Sequence, residues 1–323
     1  MKKIRWGIIG CGDVTEVKSG PGFQKAEGSE LIAVMRRDPD LAEDYARRHS
    51  VPKWYNNAAE LINDDDVDAV YIATPPSSHK QYVLDVALAG KPVYVEKPMA
   101  LNYKECVSMV EACRLANVPL FTAYYRRALP RFLKIKSLID DGIIGDVRAV
   151  NMVLHQPPGE NDIRKIENWR TDPDMAGCGY FCDLGSHMID LIQFFLSDIV
   201  TANGVASNQS GLYKAEDTVS ASMIFKSGVH ATGNWCFCAD KDMDKTEIIG
   251  TAGRIVYSNF AANPVILEMN NSTEEFNINH PDHVAQPLIQ TIVDELLGKG
   301  KCPSTGDSGA RTSLIMDKIL GRQ

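Results

Sequence analysis

"WGIIGCGDV", residues 6–14, decides how the chain is read. An apolar, strand-like run ends in Gly10-Cys11-Gly12, and Asp13 follows at once. A strand that stops at spaced glycines and opens a helix is the first βα turn of a dinucleotide fold. Glycine at 10 permits the tight turn, and glycine at 12 lets a pyrophosphate approach backbone N–H groups. Asp13 and Val14 continue the loop and join Gly10 and Gly12 as candidate cofactor contacts. Thr15 stands where the third glycine of a full GxGxxG belongs, so the motif is incomplete. "SGPG" (19–22) predicts a kink or early stop in the helix that follows.

The context supplies what the loop lacks. "LIAVM" (31–35), "DAVYIAT" (68–74), "PVYVE" (92–96) and "PLFTAY" (119–124) are short apolar strands, with helix-like segments at 38–50, 77–91 and 102–117 between them. Near-continuous hydrophobic strands alternating with helices predict a parallel sheet covered on both faces. After about residue 124 the pattern changes. A helix at 130–141 leads to strands at 147–155, 217–226, 229–238, 244–250 and 253–258, with one helix at 183–196 among them. "TVSASMIF" and "VHATGNWCF" alternate in the manner of an antiparallel sheet with one wet face. The fold class is therefore α/β. A Rossmann domain, residues 1–123, precedes an α+β domain, residues 124–323, built on a large, open, mostly antiparallel sheet. A final helix, about 307–320, is free to pack back on the first domain.

Length and charge agree with this division. A chain of 323 residues exceeds one ordinary core. Hydrophobic residues make up 44% and charged residues 24%, which suits a globular protein. Net charge is −8 with no basic block, which argues against nucleic acid or an anionic membrane as partner. Apolar runs fall short of the roughly 20 residues of a membrane helix. The eight cysteines are scattered and complete no zinc set, so the expectation is no metal and free thiols in a reducing cytoplasm.

The end of the second strand bears on the cofactor. It reads "VMRRD", with Arg36 in the place where NAD enzymes usually carry an acidic residue, and Arg37 next to it. Guanidinium groups suit a 2′-phosphate, which favours NADP(H). Two solvated arginines are the plainer alternative, and Asp38, one step later, leaves NAD(H) open.

Two further stretches carry charge where a fold alone would not put it. In "VYVEKPMAL" (93–101) a buried-type strand ends in Glu96 and Lys97, and Pro98 keeps Lys97 out of the helical region. Ligands of open α/β sheets sit beyond the carboxyl ends of the strands, where Thr74 and Pro75 also lie. By itself the segment reads equally as a strand-end salt bridge or as a lysine offered to a substrate oxygen. "GCGYFCDLGSHMIDLIQFF" (177–195) sets Asp183 and His187 four apart, on one face of a helix, with Gly179 and Gly185 allowing close backbone approach to a ligand. A His–carboxylate pair is the common acid/base unit near neutral pH, and a cap plus a buried structural histidine is the rival reading.

Taken together, "GCGD" (10–13), "ATPPSSH" (73–79), "VEKPMAL" (95–101), "YYRRALPRF" (124–132), "NWRTDPDMAGCG" (168–179) and "DLGSHMID" (183–190) resemble the Gfo/Idh/MocA family of oxidoreductases over essentially the whole chain. The resemblance implies hydride exchange between NAD(P) and a sugar or polyol carbon. It implies Lys97 at the reacting oxygen and the nicotinamide ribose, His187 as acid/base, and Asp183 binding or orienting substrate. Thr74, Pro75, His79 and Glu96 would border the nicotinamide side, and Trp169 and Arg170 would reach the cofactor. Arg126 would touch substrate, although Tyr125 departs from the family's usual asparagine there. "GCG" at 177–179 replaces the commoner triple glycine and adds the Cys178 side chain. A homodimer or homotetramer through the open sheet is implied as well. Fine specificity is expected in 155–168 and around 235–245. An NAD-dependent glycosidase and a non-catalytic nucleotide sensor share this architecture and are the alternatives.

Overall fold

Each of the first six strands is short and bears apolar side chains on both faces, and that decides its surroundings. They are β1 (Ile4–Ile9), β2 (Ser29–Met35), β3 (Lys53–Tyr55), β4 (Ala69–Ile72), β5 (Val93–Val95) and β6 (Leu120–Thr122). All pair in parallel, in the order β3-β2-β1-β4-β5-β6 of a Rossmann sheet. Side chains alternate between faces along a strand. Ile4, Trp6, Ile8, Tyr71 and Tyr94 enter one buried cluster, whereas Ile9, Val70, Ile72, Val93 and Val95 enter another. Both faces are therefore covered. The structure is a computed structural model and describes residues 3–322.

The helix after the glycine loop breaks as "SGPG" requires, into Asp13–Val17 and Gly20–Lys25. The break lets Phe23 turn onto the sheet, with its ring 4.8 Å from Trp6 and 5.2 Å from Tyr71. Asp38 caps the next helix, Pro39–Arg48, by accepting from the Leu41 N–H.

The second sheet has eight strands: β7 (Val147–His155), β8 (Ile199–Ser207), β9 (Thr218–Phe225), β10 (His230–Cys236), β11 (Met243–Gly250), β12 (Gly253–Tyr257), β13 (Val265–Met269) and β14 (Ser272–Phe276). Their order is β14-β13-β12-β11-β7-β10-β9-β8, and only β7 with β10 is a parallel pair. Met152, Leu154, Val219, Met223 and Trp235 are buried on one face. Helix Ser186–Phe195 belongs to this side, and Trp235 donates its indole N–H to the Met188 sulfur at 3.3 Å. The opposite face is mixed: Val153, Val205, Ile224, Ile249, Val256 and Ile266 share it with a polar patch. Thr232 donates to Asn151 at 2.9 Å, Asn234 donates to Ser220 at 2.8 Å, and the His155 ring lies 2.7 Å from the Asn234 side-chain oxygen.

The chain divides into two compact units, but not at the 123/124 boundary the sequence suggests. The first comprises residues 1–129 and 280–310, the second 130–279 and 311–323. Residues 280–310 thus belong with the dinucleotide-type sheet, not with the second domain. Their helix, Gln286–Leu296, buries Leu288, Ile289, Ile292 and Val293 completely in the cluster that holds Ile4, Trp6 and Phe23. Its apolar residues follow helical spacing, and this packing is what draws the chain back. The final helix, Gly306–Ile319, belongs to the first unit up to Ala310 and to the second from Arg311 on.

Ile289→Ala should therefore destabilise the first unit by about 2–5 kcal/mol, the usual cost of a cavity in a full core. Urea unfolding followed by tryptophan fluorescence, to which Trp6 and Trp54 of this unit contribute, checks this. An unchanged midpoint would contradict the assignment of 280–310 to that core.

Candidate active site

In the first unit the glycine turn is built around a close approach. Gly10 has φ +92°, and a Cβ there would lie 2.7 Å from Thr74 Cγ2. Only glycine allows this turn under the end of β4. Gly12 differs: a Cβ on it would meet no protein atom within 4 Å, so the backbone faces open space. That gap suits a pyrophosphate. Thr15, in the place of the third glycine, is buried and donates its hydroxyl to the Gly12 carbonyl at 2.7 Å. Its carbonyl accepts from the Tyr45 hydroxyl at 2.9 Å. Threonine thus closes the turn with a side chain where glycine would do it by fit. Asp13 is exposed and Val14 half-buried. Arg36 is half-buried and donates from Nη1 to the Cys11 carbonyl at 3.3 Å, so its guanidinium borders the loop. Arg37 is exposed.

Beyond β4 and β5 the chain is tied at two points. Glu96 accepts the Tyr71 hydroxyl at 2.5 Å and the Lys97 backbone N–H at 3.0 Å. Burial pushes the Glu96 carboxyl up from its ordinary range, with Lys97 and the Tyr71 hydroxyl opposing. Lys97 itself is half-buried, and its bond to Pro98 is cis. His79 is the second tie. Its ring is fully buried, with Nε2 2.7 Å from the Thr74 carbonyl and Nδ1 3.1 and 3.2 Å from those of Pro98 and Met99. Carbonyls only accept, so the histidine must donate. Burial lowers its pKa toward the neutral ring with one N–H, while the three carbonyls favour the ring with two. Either way, His79 joins the turn after β4 to the turn that carries Lys97. Thr74 also accepts from the Ser78 hydroxyl at 2.7 Å, and Pro75 is half-buried beside it. Arg126 is buried, with its guanidinium 4.9 Å over the Tyr125 ring and donating to the Tyr125 hydroxyl at 2.9 Å. The tyrosine that replaces the family's asparagine is thus its partner.

In the second unit the helix begins later than its sequence suggests. Phe181–Gly185 forms a π-helical turn, and the α-helix starts at Ser186. Asp183 lies in the wider turn, four positions before His187. Asp183 is paired with Arg170, Nε to Oδ2 at 3.5 Å, and the Arg170 guanidinium stacks 4.5 Å over Trp169. Both belong to a short turn, Trp169–Thr171, capped by Asn168. His187 is 3% exposed, its ring edge-on to Phe260 at 6.2 Å, and Asp190 accepts from Thr312 at 3.2 Å.

The glycines here serve the protein rather than a ligand. A Cβ on Gly179 would meet Ala215 at 2.8 Å, and one on Gly185 would meet Phe181 at 2.6 Å. The expectation of free thiols also fails at one place: Cys178 and Cys182 form a disulfide, and the other six cysteines stay outside any disulfide. It follows that Cys178, the residue added to the usual triple glycine, is covalently held one residue before Asp183.

This unit also holds a cavity of about 530 Å³ that no sequence motif marks, lined by Asp162, Asn168, Trp169, Asp172 and Tyr213 among others. The Asp162 carboxylate accepts from the Tyr180 hydroxyl at 3.0 Å and from the Gly159 N–H at 3.1 Å. The Tyr213 hydroxyl is buried without a hydrogen-bond partner. Part of its wall falls in the 155–168 stretch expected to set specificity. Tyr213 left no signal, because its loop has no periodicity.

Comparison with known proteins follows the same division. Residues 4–124 match the model of an oxidoreductase family with an NAD-binding Rossmann fold, and residues 132–256 match the GFO/IDH/MocA C-terminal domain. The chain is 42% identical over 320 residues to oxidoreductase P35 of Formosa agariphila, covering 99% of each. It is 27% identical to 1,5-anhydro-D-fructose reductase of Ensifer adhaerens, covering 94% of this chain and 92% of that one. Among solved structures, aldose-aldose oxidoreductase from Caulobacter crescentus superposes with a TM-score of 0.88 at 23% identity, over 99% of this chain and 97% of the other. A levoglucosan dehydrogenase in complex with NADH and levoglucosan gives 0.89 at 21%, over the same shares. At such identities the structures bear on the fold alone.

Removing the His79 tie has a calculable effect. His79→Ala leaves buried carbonyls without a donor and should cost about 2–4 kcal/mol. His79→Gln, which keeps an N–H₂ donor, should cost less. Denaturant midpoints of the two variants check this ordering, and equal losses would show that the ring acts by volume alone.

Proposed function

The chain belongs to the GFO/IDH/MocA family of oxidoreductases, and from that premise we propose that it is an NADP(H)-using dehydrogenase or reductase of a sugar, polyol or related small carbohydrate. The observation that carries the reading is the position of Lys97. It stands at the carboxyl end of β5, its backbone held by Glu96, on the same sheet edge as the glycine turn. Ligands of such sheets bind at that edge. The similarity to 1,5-anhydro-D-fructose reductase supports a carbohydrate substrate.

Gly10 and Gly12 fit a dinucleotide: one makes the turn, and the other leaves its backbone open. Thr74 and Pro75 border the nicotinamide side, and His79 holds their turn without contacting the cofactor itself. When bound, the cofactor supplies the redox chemistry at its nicotinamide ring. Lys97 donates a hydrogen bond to the substrate oxygen and fixes the reacting carbon. His187, buried and thus shielded from bulk water, gives the proton in reduction and takes it in oxidation. Asp183 orients substrate hydroxyls, and Arg170 aims it. Positioning accounts for much of the acceleration. Arg36, leaning on the glycine loop, supplies the charge for a 2′-phosphate, and Arg37 stands next to it on the surface.

Lys97→Met and His187→Ala should each lower kcat by about 100-fold or more while nicotinamide fluorescence shows the dinucleotide still bound. A sugar and polyol panel with both cofactors provides the assay, and turnover retained in both variants refutes these roles. Arg36→Ala should weaken NADPH about 10-fold and NADH by less than about 2-fold, the loss of one charged phosphate contact. Equal weakening of both would remove Arg36 from cofactor choice.

A further inference from the structure

We propose that Cys236 and Cys238 form a reactive dithiol that closes to an intramolecular disulfide when it meets a peroxide. Four of the six cysteines outside the Cys178–Cys182 disulfide, Cys11, Cys106, Cys113 and Cys302, are buried, whereas Cys236 and Cys238 keep exposed surface. Their sulfurs lie 3.7 Å apart, in van der Waals contact. The Thr218 hydroxyl touches both, 3.8 Å from Cys236 Sγ and 3.7 Å from Cys238 Sγ.

The local backbone explains the contact. In a regular strand, residues two apart are separated by roughly 6.6 Å along the chain, at the edge of what a disulfide spans. Here β10 ends at Cys236, and the chain turns through Phe237 and Cys238. The turn is pinned on both sides: Gln156 donates its N–H to the Cys236 carbonyl at 2.8 Å, and Phe237 donates to that of Asp217 at 2.7 Å. The fold therefore delivers two thiols to one spot and keeps them there. Closure needs the sulfurs to approach by about 1.7 Å, to the roughly 2.0 Å of a disulfide, a step that side-chain rotation at a turn supplies.

The chemistry balances with hydrogen peroxide as the oxidant. The Cys236 sulfur attacks one peroxide oxygen, the O–O bond breaks, and the other oxygen leaves as water, so that Cys236 becomes a sulfenic acid. The Cys238 sulfur then attacks the Cys236 sulfur, the S–O bond breaks, and a second water leaves as the S–S bond forms. Two thiols lose two hydrogens and two electrons, and the peroxide becomes two waters. Burial pushes the Cys238 thiol up, which leaves Cys236 to meet the peroxide, and the contact between the two sulfurs then brings Cys238 into the second step.

The sequence makes the test clean. Trypsin cuts after Lys226 and Lys241, and the peptide 227–241 holds Cys236 and Cys238 and no other cysteine. The full chain is treated with stoichiometric peroxide, capped with iodoacetamide, digested and weighed. The expected peptide is two hydrogens lighter than the dithiol and carries no alkyl group. Dithiothreitol before capping should return it to the doubly alkylated form. Cys238→Ser should leave a sulfenic acid on Cys236 that dimedone traps. A doubly alkylated peptide after peroxide, sulfinic or sulfonic acid as its main product, or a disulfide to a second chain on a non-reducing gel would each overturn the proposal.

Discussion

Between Gly10 and the end of β4 there is no room for a methyl group, and the first unit is arranged around that contact. A glycine with φ +92° lets β1 stop and turn directly beneath Ala73 and Thr74. Because β1 and β4 are parallel neighbours, their carboxyl ends then share one edge with that of β5. His79 extends the arrangement one strand further by binding the carbonyls of Thr74, Pro98 and Met99. Three separate turns become one block, and Lys97 is part of it. A flexible, strongly hydrated ammonium group is poorly suited to accurate placement by itself. Fixing the backbone on either side of it is the remedy this chain uses.

The second unit solves a similar problem with covalent and ionic means. Asp183 sits in a π-helical turn, a form more open than an α-helix and common at functional sites. The Cys178–Cys182 disulfide holds the chain just before it, and Arg170 engages its carboxylate from a separate turn. Trp169 backs the guanidinium with its ring face, which restricts the arginine without neutralising it.

Much of this was legible in the residues. The glycine turn, the alternation of apolar strands with helices and the change of pattern near residue 124 all survive, because each rests on local chemistry. The broken helix at "SGPG" was visible for the same reason. What escaped depends on partners remote in sequence. Helix Gln286–Leu296 has helical spacing, but nothing local says that it packs against Trp6 and Phe23. Strands β8 and β14 are exposed edge strands with weak alternation, so their pattern carries little signal. The Arg170–Asp183 pair joins positions 13 residues apart through a turn that propensity does not foretell. Gly179 and Gly185 show the converse: the reading that they permit a close approach was sound, but the approaching group is the protein's own Ala215 and Phe181.

The polar patch on β7, β9 and β10 of the eight-stranded sheet has a consequence of its own. Threonine, serine, asparagine and histidine side chains there hydrogen-bond to one another across adjacent strands. Such a patch is already internally satisfied, so water gains little by being released from it. A surface covering the patch is therefore chosen by whether its donors and acceptors mesh with this lattice. The patch behaves as a lock with fixed wards, set in a margin of Val153, Val205 and Ile224: the margin rewards burial, and the wards admit only a surface cut to match.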